Sequence, residues 1–385
     1  MKRATMIKTA QGAMKRAVLG LAAAVVMGAG LGAHAELVGR WVSGAQSLSE
    51  TSGYRVAGTH DGVAIGGNAG LLAYSSDVPA GFEGKSLDLT AGNVGVSINK
   101  SASTDTGYVN TYDDVIHSQF TVAFWAKGFP TTWNPWVAKG GENNIGWQVR
   151  RMENDPVAGF TMRGIDNDDG RGSPINVNNA NWHHFAGVWS QATGTRTLYV
   201  DGVFSHTVSN NPSELMTLAP GSHLGLGARQ VASGGGYDGY FAGKLFDVRI
   251  YNTVLSQSDV LLLIPPPMPA GLLATPGNAK VGLLWTPSLG ATSYTVWTKN
   301  NTTLVEQTDT TTTANFSKTG LDNGTLYTFK VLATNSVGTS AYTAEVSATP
   351  AWARPRTFSP SASPAWAPPR LPAPTSSRMF RSARM

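Results

Sequence analysis

The chain has 385 residues, more than one typical domain, and only 14% of them are charged. It contains no Cys, which excludes disulfide frameworks and thiolate metal sites. Eleven of its 29 Lys and Arg residues lie in the acid-free segments 1–35 and 351–385, which leaves 18 basic and 24 acidic residues between them. A body of that charge is a poor partner for phosphate backbones, so no nucleic-acid partner is predicted.

The N-terminus has the three parts of a secretory signal. Met14-Lys15-Arg16 is basic, residues 17–32 are small and apolar, and Ala33-His34-Ala35 is a small-x-small cleavage site. The apolar run is shorter than the ~20 residues that cross a bilayer, so no membrane span is predicted. We expect residues 1–35 to be a signal peptide cleaved near Ala35, and the mature bacterial protein to be secreted or held at the cell surface. An uncleaved anchor is the alternative.

Proline-rich segments divide the remainder of the chain. Residues 263–269, with Pro265-Pro266-Pro267, form a stiff linker between two strand-rich regions, 36–262 and 270–350. After Pro350 the composition changes to Ala, Pro, Ser and Arg. Residues 351–385 are therefore a disordered basic tail or the out-of-frame ending of a longer gene, and both interpretations stay open.

Short alternating apolar runs separated by turn residues recur between residues 36 and 262. In the run 245–251, alternation puts Phe246, Val248 and Ile250 on one face. Asp247 then falls on the opposite face. Asp201-Gly202 between two such runs predicts a β-hairpin with a type I′ turn. Many half-buried antiparallel strands predict a sandwich of two sheets.

Four segments carry a more specific signal, and they are 120–127 (FTVAFWAK), 136–149 (WVAKG to GWQV), 182–202 (WHHFAGVW to LYVDG) and 243–252 (GKLFDVRIYN). In this order they resemble the LamG-like jellyroll of the concanavalin A-like lectin/glucanase superfamily. The resemblance implies that residues 36–262 form a jellyroll β-sandwich.

Residues 268–350 resemble a fibronectin type III domain along their whole length. Leu283 and Trp285 match the inward pair of its second strand, and Leu321, six residues before Tyr327, matches its tyrosine corner. The resemblance implies an immunoglobulin-like sandwich over residues 270–350, and the whole chain is predicted to be all-β.

Concanavalin A-like folds include glycoside hydrolases, so the acidic residues decide whether an enzyme is expected. Retaining hydrolysis needs two carboxylates about 5 Å apart, normally at even spacing on one strand. Relatives of the laminarinase type display a Glu-x-Asp-x-x-Glu strand, and this chain has none. We therefore expect a non-catalytic protein. A glycoside hydrolase or lyase whose carboxylates converge from different strands is the alternative.

The same resemblance implies one structural Ca²⁺, because laminarinase-like relatives hold the ion with the Asp of the closing strand and the N-terminal segment. Asp247 is at the matching position, and Asp61 lies in an early His-Asp-Gly element. Calcium prefers hard oxygen ligands such as these carboxylates. The alternatives are an ion pair of Asp247 with Arg249, or solvation, and an ordinary turn at Asp61.

Aromatic residues in two loop-like segments are candidates for stacking on sugars. Trp133 and Trp136 are flanked by Thr, Asn and Pro, and Tyr237 and Tyr240 follow a Gly-rich run. We expect an exported binding or adhesion protein that recognises a polysaccharide or surface glycan through these residues. Local packing of each aromatic residue, and a passive spacer or matrix role for the protein, are the alternatives. The sequence does not predict an oligomeric state.

Overall fold

A computed structural model describes residues 35–42, 44–52, 60–98, 118–140, 146–153, 156–163, 175–210, 222–231 and 236–352. The predicted signal peptide, apart from Ala35, and the tail beyond residue 352 lie outside these ranges. The regular secondary structure of the described chain is almost entirely β-strand, which confirms the all-β prediction. Across these ranges, no helix has the length and apolar character needed to cross a membrane.

Residues 35–264 contain sixteen of the described strands, one 3-10 turn (Ala69–Leu71) and one short α-helix. The strands are β1 (Leu37–Trp41), β2 (Gly62–Ile65), β3 (Ala73–Ser75), β4 (Ser86–Asp88), β5 (Gly95–Ile98), β6 (Gln119–Lys127), β7 (Pro135–Gly140), β8 (Gly146–Arg151), β9 (Ala158–Arg163), β10 (Trp182–Ser190), β11 (Thr195–Val200), β12 (Val203–Ser209), β13 (Leu224–Leu226), β14 (Arg229–Gln230), β15 (Tyr237–Asp238) and β16 (Lys244–Tyr251). Helix α1 (Gln257–Leu261) follows them.

These strands form two antiparallel sheets and a hairpin. The eight-stranded sheet has the order β12-β11-β10-β6-β16-β4-β3, with β1 also paired to β16. The six-stranded sheet has the order β2-β5-β13-β7-β8-β9, and β14 pairs with β15. Strand β6 lies between β10 and β16, which are distant in sequence, so the sheet closes only through long-range pairing.

The main core lies between the two sheets, where alternation directs apolar side chains inward. Phe124 of β6 stacks on Phe185 of β10 at a centroid distance of 5.3 Å. Phe185 in turn stacks at 4.7 Å on Trp136 of β7, in the other sheet. The prediction of Trp136 as a sugar-stacking residue is therefore wrong, because it belongs to a strand and its side chain is 0% exposed.

The predicted hairpin connects β11 to β12. Asp201 has a φ of 52° and Gly202 a φ of 75°, the left-handed pair that a type I′ turn requires. The Asp201 carboxylate also accepts a hydrogen bond from the His184 backbone N–H at 2.8 Å and lies 2.7 Å from His183 Nδ1. The turn thus pairs two strands and ties their ends to β10.

A second sandwich follows over residues 270–348. Its strands are β17 (Ala270–Gly277), β18 (Lys280–Thr286), β19 (Ser293–Asn300), β20 (Glu306–Thr311), β21 (Asn315–Thr319), β22 (Tyr327–Thr334) and β23 (Val346–Ala348). They form a β17-β18-β21 sheet and a β20-β19-β22-β23 sheet. Asn335 donates a 2.7 Å hydrogen bond to the carbonyl of Ile264, in the segment that joins the two sandwiches.

The core of this second sandwich contains the residues that the family resemblance picked out. Leu283 and Trp285 are buried together with Leu321. The Tyr327 hydroxyl accepts a 3.1 Å hydrogen bond from the backbone N–H of Asp322, which is the bond of a tyrosine corner.

The closing strand β16 of the first sandwich departs from simple alternation. Phe246 pairs with Trp125 and Arg249 with Ala123, so two residues of β16 stand opposite one of β6. Asp247 has a φ of 51° at this bulge. Phe246 therefore leaves the core face and packs edge-on against Phe82 at 5.2 Å, so the predicted common face of Phe246, Val248 and Ile250 is wrong.

The bulge places Asp247 in a buried ion cluster. Its carboxylate accepts a 2.6 Å bond from Arg40 Nε and a short bond from the guanidinium of Arg249. Burial by itself would raise the pKa of the Asp247 carboxyl, but the attraction of Arg249 and Arg40 outweighs it and holds the pKa at about 2. The residue is ionised and fully paired near neutral pH.

The calcium prediction does not fit this geometry. Both oxygens of Asp247 are bonded to guanidinium groups, which leaves a cation no free carboxylate. Asp61 accepts bonds from the backbone N–H of Glu50 at 2.9 Å and from the Ser49 hydroxyl at 3.4 Å, so its carboxylate ties together two segments of the chain. Among the residues with described positions, no group of three or more His, Asp or Glu side chains is arranged to hold a metal ion. The structure assigns Asp247 to an ion pair instead.

Replacing Asp247 tests the ion cluster. Asp247→Asn leaves buried guanidinium charge without its counterion, and we expect the free energy of unfolding to fall by about 3–5 kcal/mol. Denaturant unfolding of the full chain measures the change. The control is Glu345→Gln, which breaks an ion pair with Lys330 at 3.6 Å. The Glu345 side chain is 56% exposed. The control should lower the free energy of unfolding by less than about 1 kcal/mol. An equally small decrease for Asp247→Asn would contradict the buried ion cluster.

Candidate functional site

Alternation in the six-stranded sheet also directs polar residues away from the core. In β5, Val96 and Ile98 enter the core, and Ser97 between them points to the other side. In β8, Gln148 and Arg150 point the same way. We call this side the outer face of the six-stranded sheet.

The β14–β15 hairpin folds onto this face, and glycine makes the approach possible. A Cβ at Gly225 of β13 would overlap the carbonyl oxygen of Ala228. A Cβ at Gly95 of β5 would lie 2.9 Å from the side chain of Ala228. The backbone that enters the hairpin therefore lies directly on two adjacent strands, which brings the hairpin side chains over the outer face.

Three side chains meet beneath the hairpin in what we call the Ser97–His223–Tyr237 cluster. The Tyr237 hydroxyl lies 2.6 Å from Ser97 Oγ and 2.5 Å from His223 Nδ1. Ser97 Oγ is also 3.1 Å from His223 Nδ1. These contacts attach the hairpin to β5 and to the start of β13.

The protonation of this cluster follows from its burial. Burial lowers the pKa of His223 below 6.5, and the nearby charge of Lys139 lowers it further. Burial raises the pKa of Tyr237 above 10.0, although the Ser97 hydrogen bond opposes the rise. At neutral pH the imidazole is therefore neutral and Tyr237 keeps its hydroxyl hydrogen, while the tautomer of His223 sets which of the two is the donor.

Arg229 connects the two aromatic segments that the sequence singled out. Its Nε donates a 2.8 Å bond to Asp238 next to Tyr237, and its Nη1 donates a 3.1 Å bond to the carbonyl of Trp133. The guanidinium of Arg150 lies 4.8 Å from the centre of the Trp133 ring. Trp133, Tyr237 and Asp238 therefore share one rim of the outer face, and all three are half-buried.

Tyr240 lies near Tyr237 and Asp238 and reaches the turn after β2. Its ring packs over Gly66, where a Cβ would come within 2.9 Å of it. Gly66 has a φ of 99°, so a side chain there would also strain the backbone. Tyr240 remains half-buried, and burial raises its pKa.

Gln148 is the outward residue with unmet hydrogen-bonding capacity. It is 2% exposed, and neither Nε2 nor Oε1 has a hydrogen-bond partner. A buried amide without partners costs about 1–3 kcal/mol, which a bound polar group would recover. The residue lies in β8 close to Arg150, and therefore close to the rim.

The rim thus combines flat aromatic rings, a guanidinium–carboxylate pair and a neutral imidazole. Such a set suits a neutral ligand with apolar faces and many hydroxyl groups better than a strongly charged one. Sequence reasoning found Trp133, Tyr237 and Tyr240 but missed Arg229 and His223. His223 precedes Leu224-Gly225-Leu226 and Arg229 follows Ala228, so neither residue stands in a recognisable motif. Only their hydrogen bonds in the folded structure identify them.

Gly225 tests whether the hairpin position depends on close backbone approach. Gly225→Ala should lower the free energy of unfolding by about 1–3 kcal/mol, because the new methyl overlaps backbone that cannot move aside. Gly282→Ala in β18 is the matched control, since its Cβ would meet only Thr275 at 3.9 Å. The Tm of each variant gives the comparison, and equal Tm values would contradict the hairpin position.

The low pKa of His223 predicts a pH dependence of stability. In the unfolded chain the imidazole takes up a proton near pH 6.5, as a free histidine side chain does, and in the folded chain only at lower pH. The free energy of unfolding should therefore fall as the pH drops below that value, and His223→Asn should reduce the slope. An NMR titration of the imidazole in the full chain measures the pKa directly. A value at or above that of a free histidine would contradict the buried cluster.

Comparison with known proteins agrees with this architecture. Residues 103–261 match the family model of the concanavalin A-like lectin/glucanases superfamily, and residues 267–349 match the model of the fibronectin type III domain. C-reactive protein 1.4 of Limulus polyphemus is 30% identical over 89 residues, 23% of this chain and 37% of that protein. Human pentraxin-4 is 33% identical over 101 residues, 26% of this chain and 21% of that protein. The chain thus spans well under half of each relative.

Solved structures give more distant likenesses. Domain 4 of AbnA, an extracellular arabinanase of Geobacillus stearothermophilus solved with arabinotriose, is 18% identical with a TM-score of 0.43, covering 59% of this chain and 97% of that one. The SAP-like pentraxin of Limulus polyphemus is 21% identical with a TM-score of 0.30, covering 37% of this chain and 68% of that one. On the two family matches and the two sandwiches, the chain contains a domain of the concanavalin A-like lectin/glucanases superfamily followed by a fibronectin type III domain.

Proposed function

We propose that this protein is exported and binds a polysaccharide or surface glycan, without cleaving it, through the rim of the outer face. A domain of the concanavalin A-like lectin/glucanases superfamily fits a carbohydrate-related extracellular function. The rim adds the residues that would make the contacts, namely Trp133, Tyr237, Asp238 and Tyr240.

The convergence of the two aromatic segments through Arg229 carries the proposal. Residues about one hundred positions apart in the sequence meet within hydrogen-bonding distance of a single guanidinium. The Asp238 side chain is 48% exposed while that of Arg229 is 8% exposed, so the buried guanidinium orients a carboxylate that solvent and ligand reach. A fixed acceptor between aromatic rings is an arrangement that binds sugar hydroxyls in a defined orientation.

The non-catalytic part of the proposal is supported by the described acidic residues. Glu50, one of the isolated glutamates of the first domain, accepts hydrogen bonds from the backbone N–H groups of Arg40 at 2.9 Å and Ser52 at 2.6 Å. That carboxylate serves the N-terminal segment. Asp238 is paired with the guanidinium of Arg229 rather than with the second carboxylate that retaining hydrolysis needs.

A glycan array probed with the mature chain tests the proposal. We expect binding to at least one class of neutral polysaccharide, with affinity at least tenfold lower in Trp133→Ala and in Asp238→Asn. The loss should follow from the missing stacking surface and from the missing anionic acceptor, respectively. Isothermal titration with the strongest glycan of the array measures the affinities.

Phe204→Ala is the matched control, since Phe204 is an aromatic residue of β12 in the other sheet and is 50% exposed. It should bind like the wild type. Complete silence of the array would favour a passive spacer, and unchanged affinity of both rim variants would move the site elsewhere. Hydrolysis of a β-glucan panel that disappears on replacing a single Glu would overturn the non-catalytic assignment.

A further inference from the structure

The fibronectin type III domain contains a pocket that its fold does not require. It has a volume of about 250 Å³ and opens between β19–β20 on one side and the β21–β22 connection on the other. Its walls include Thr298, Asn300, Val305, Lys318, Leu321 and Tyr327. The pocket lies at the edge where the two sheets of the sandwich are not joined by strand pairing.

Thr298 leaves a hydrogen-bonding group unsatisfied on the inner wall. The residue is 3% exposed, and its Oγ1 makes no hydrogen bond to any other protein group. Inward-facing positions earlier on the same strand are apolar, namely Tyr294 and Val296. A buried hydroxyl without a partner is costly, so a threonine in place of a third apolar residue favours a polar occupant of the pocket.

Two further donors belong to residues that line the pocket. The Tyr327 hydroxyl accepts bonds from the Asp322 backbone at 3.1 Å and from Asn300 Nδ2 at 3.4 Å, so its own hydrogen remains available. Lys318 Nζ donates to Gln307 at 2.9 Å and to Asp309 at 2.8 Å, which leaves one of its three N–H groups.

Charge and size select the class of ligand. The positive charge of Lys318 is paired with Asp309, and the acidic residue Asp322 also lines the pocket, so the surroundings do not favour an anion. The volume is below the range of about 300–1,000 Å³ that holds drug-sized ligands. Val305 and Leu321 add an apolar wall opposite the polar one.

We propose that this pocket binds one neutral sugar residue or polyol. Ring hydroxyls would accept from Lys318 and Tyr327 and pair with Thr298, and the apolar face of the ring would lie against Val305 and Leu321. The site is in a different domain from the rim of the outer face, and the proposal stands whether or not that rim binds glycans.

NMR titration of the full mature chain tests this. The probes are glucose, galactose, arabinose, xylose, N-acetylglucosamine and myo-inositol, with lactate and inorganic phosphate as anionic probes. We expect at least one neutral probe to produce saturable amide shifts at residues 298–307 and 318–327, with a Kd on the order of 1 mM for a ligand of about a dozen non-hydrogen atoms. Shifts at residues 223–238 report the rim separately in the same spectra.

Thr298→Val removes the unpaired hydroxyl with little change of shape. We expect its Tm to equal or exceed that of the wild type and its affinity for the neutral probe to fall at least tenfold. Lys318→Met should weaken binding in the same way. Thr295→Val, on the same strand but outside the pocket lining, is the control and should bind like the wild type.

Several outcomes would overturn the proposal. The absence of saturable shifts at the pocket amides with every neutral probe would show that solvent alone fills the space. A stronger response to phosphate or lactate would show that the ligand class is wrong. Unchanged affinity in both Thr298→Val and Lys318→Met would show that the probe binds elsewhere on the domain.

Discussion

Each strand of the first sandwich contacts two environments, because a pleated strand alternates its side chains between the two faces of a sheet. In β6, Phe120, Val122 and Phe124 lie in the main core, while Trp125 on the other face packs edge-on against His184 at 5.2 Å. The chain has no Cys, so face-to-face packing of the two sheets has to hold this domain together without covalent links. Every polar group proposed here to serve a ligand of this domain is consequently carried on an outer face.

Outer-face polar groups in this protein are satisfied in two different ways. On the eight-stranded sheet they pair with one another, as Asp77 does with Lys127 at 2.9 Å and Lys244 at 2.8 Å, and as Asp247 does with its two arginines. On the six-stranded sheet the pairing is incomplete, since Gln148 has no partner and Asp238 is only partly covered. The contrast is one of degree, because Nδ1 of His184 on the eight-stranded sheet is also buried without a partner.

The fibronectin type III domain contains a residue that belongs both to the fold and to a candidate site. The tyrosine corner of the fibronectin type III domain satisfies a backbone N–H and is structural, and Tyr327 also lines the polar pocket. A tyrosine hydroxyl can accept hydrogen bonds that stabilise the fold and still donate its own hydrogen to a ligand. If both candidate sites bind sugars, the short proline linker would present two carbohydrate contacts on one chain, and avidity would compensate for weak individual affinities.

Local sequence alone determined the strand-rich character of the chain and the hairpin at Asp201-Gly202, because alternation and turn chemistry act over a few residues. The inward residues of the second sandwich were implied by the family resemblance. It also located both aromatic segments of the rim. Tertiary structure decided what each aromatic residue does: Trp136 is taken into the core by its place in β7, whereas Trp133, three positions earlier, stays at the rim beside Arg150. The bulge at Asp247, the arginines that neutralise it and the meeting of Ser97, His223 and Tyr237 all arise from pairing between distant strands. No local pattern encodes that pairing, since its energy comes from contacts that exist only after the sheets have closed.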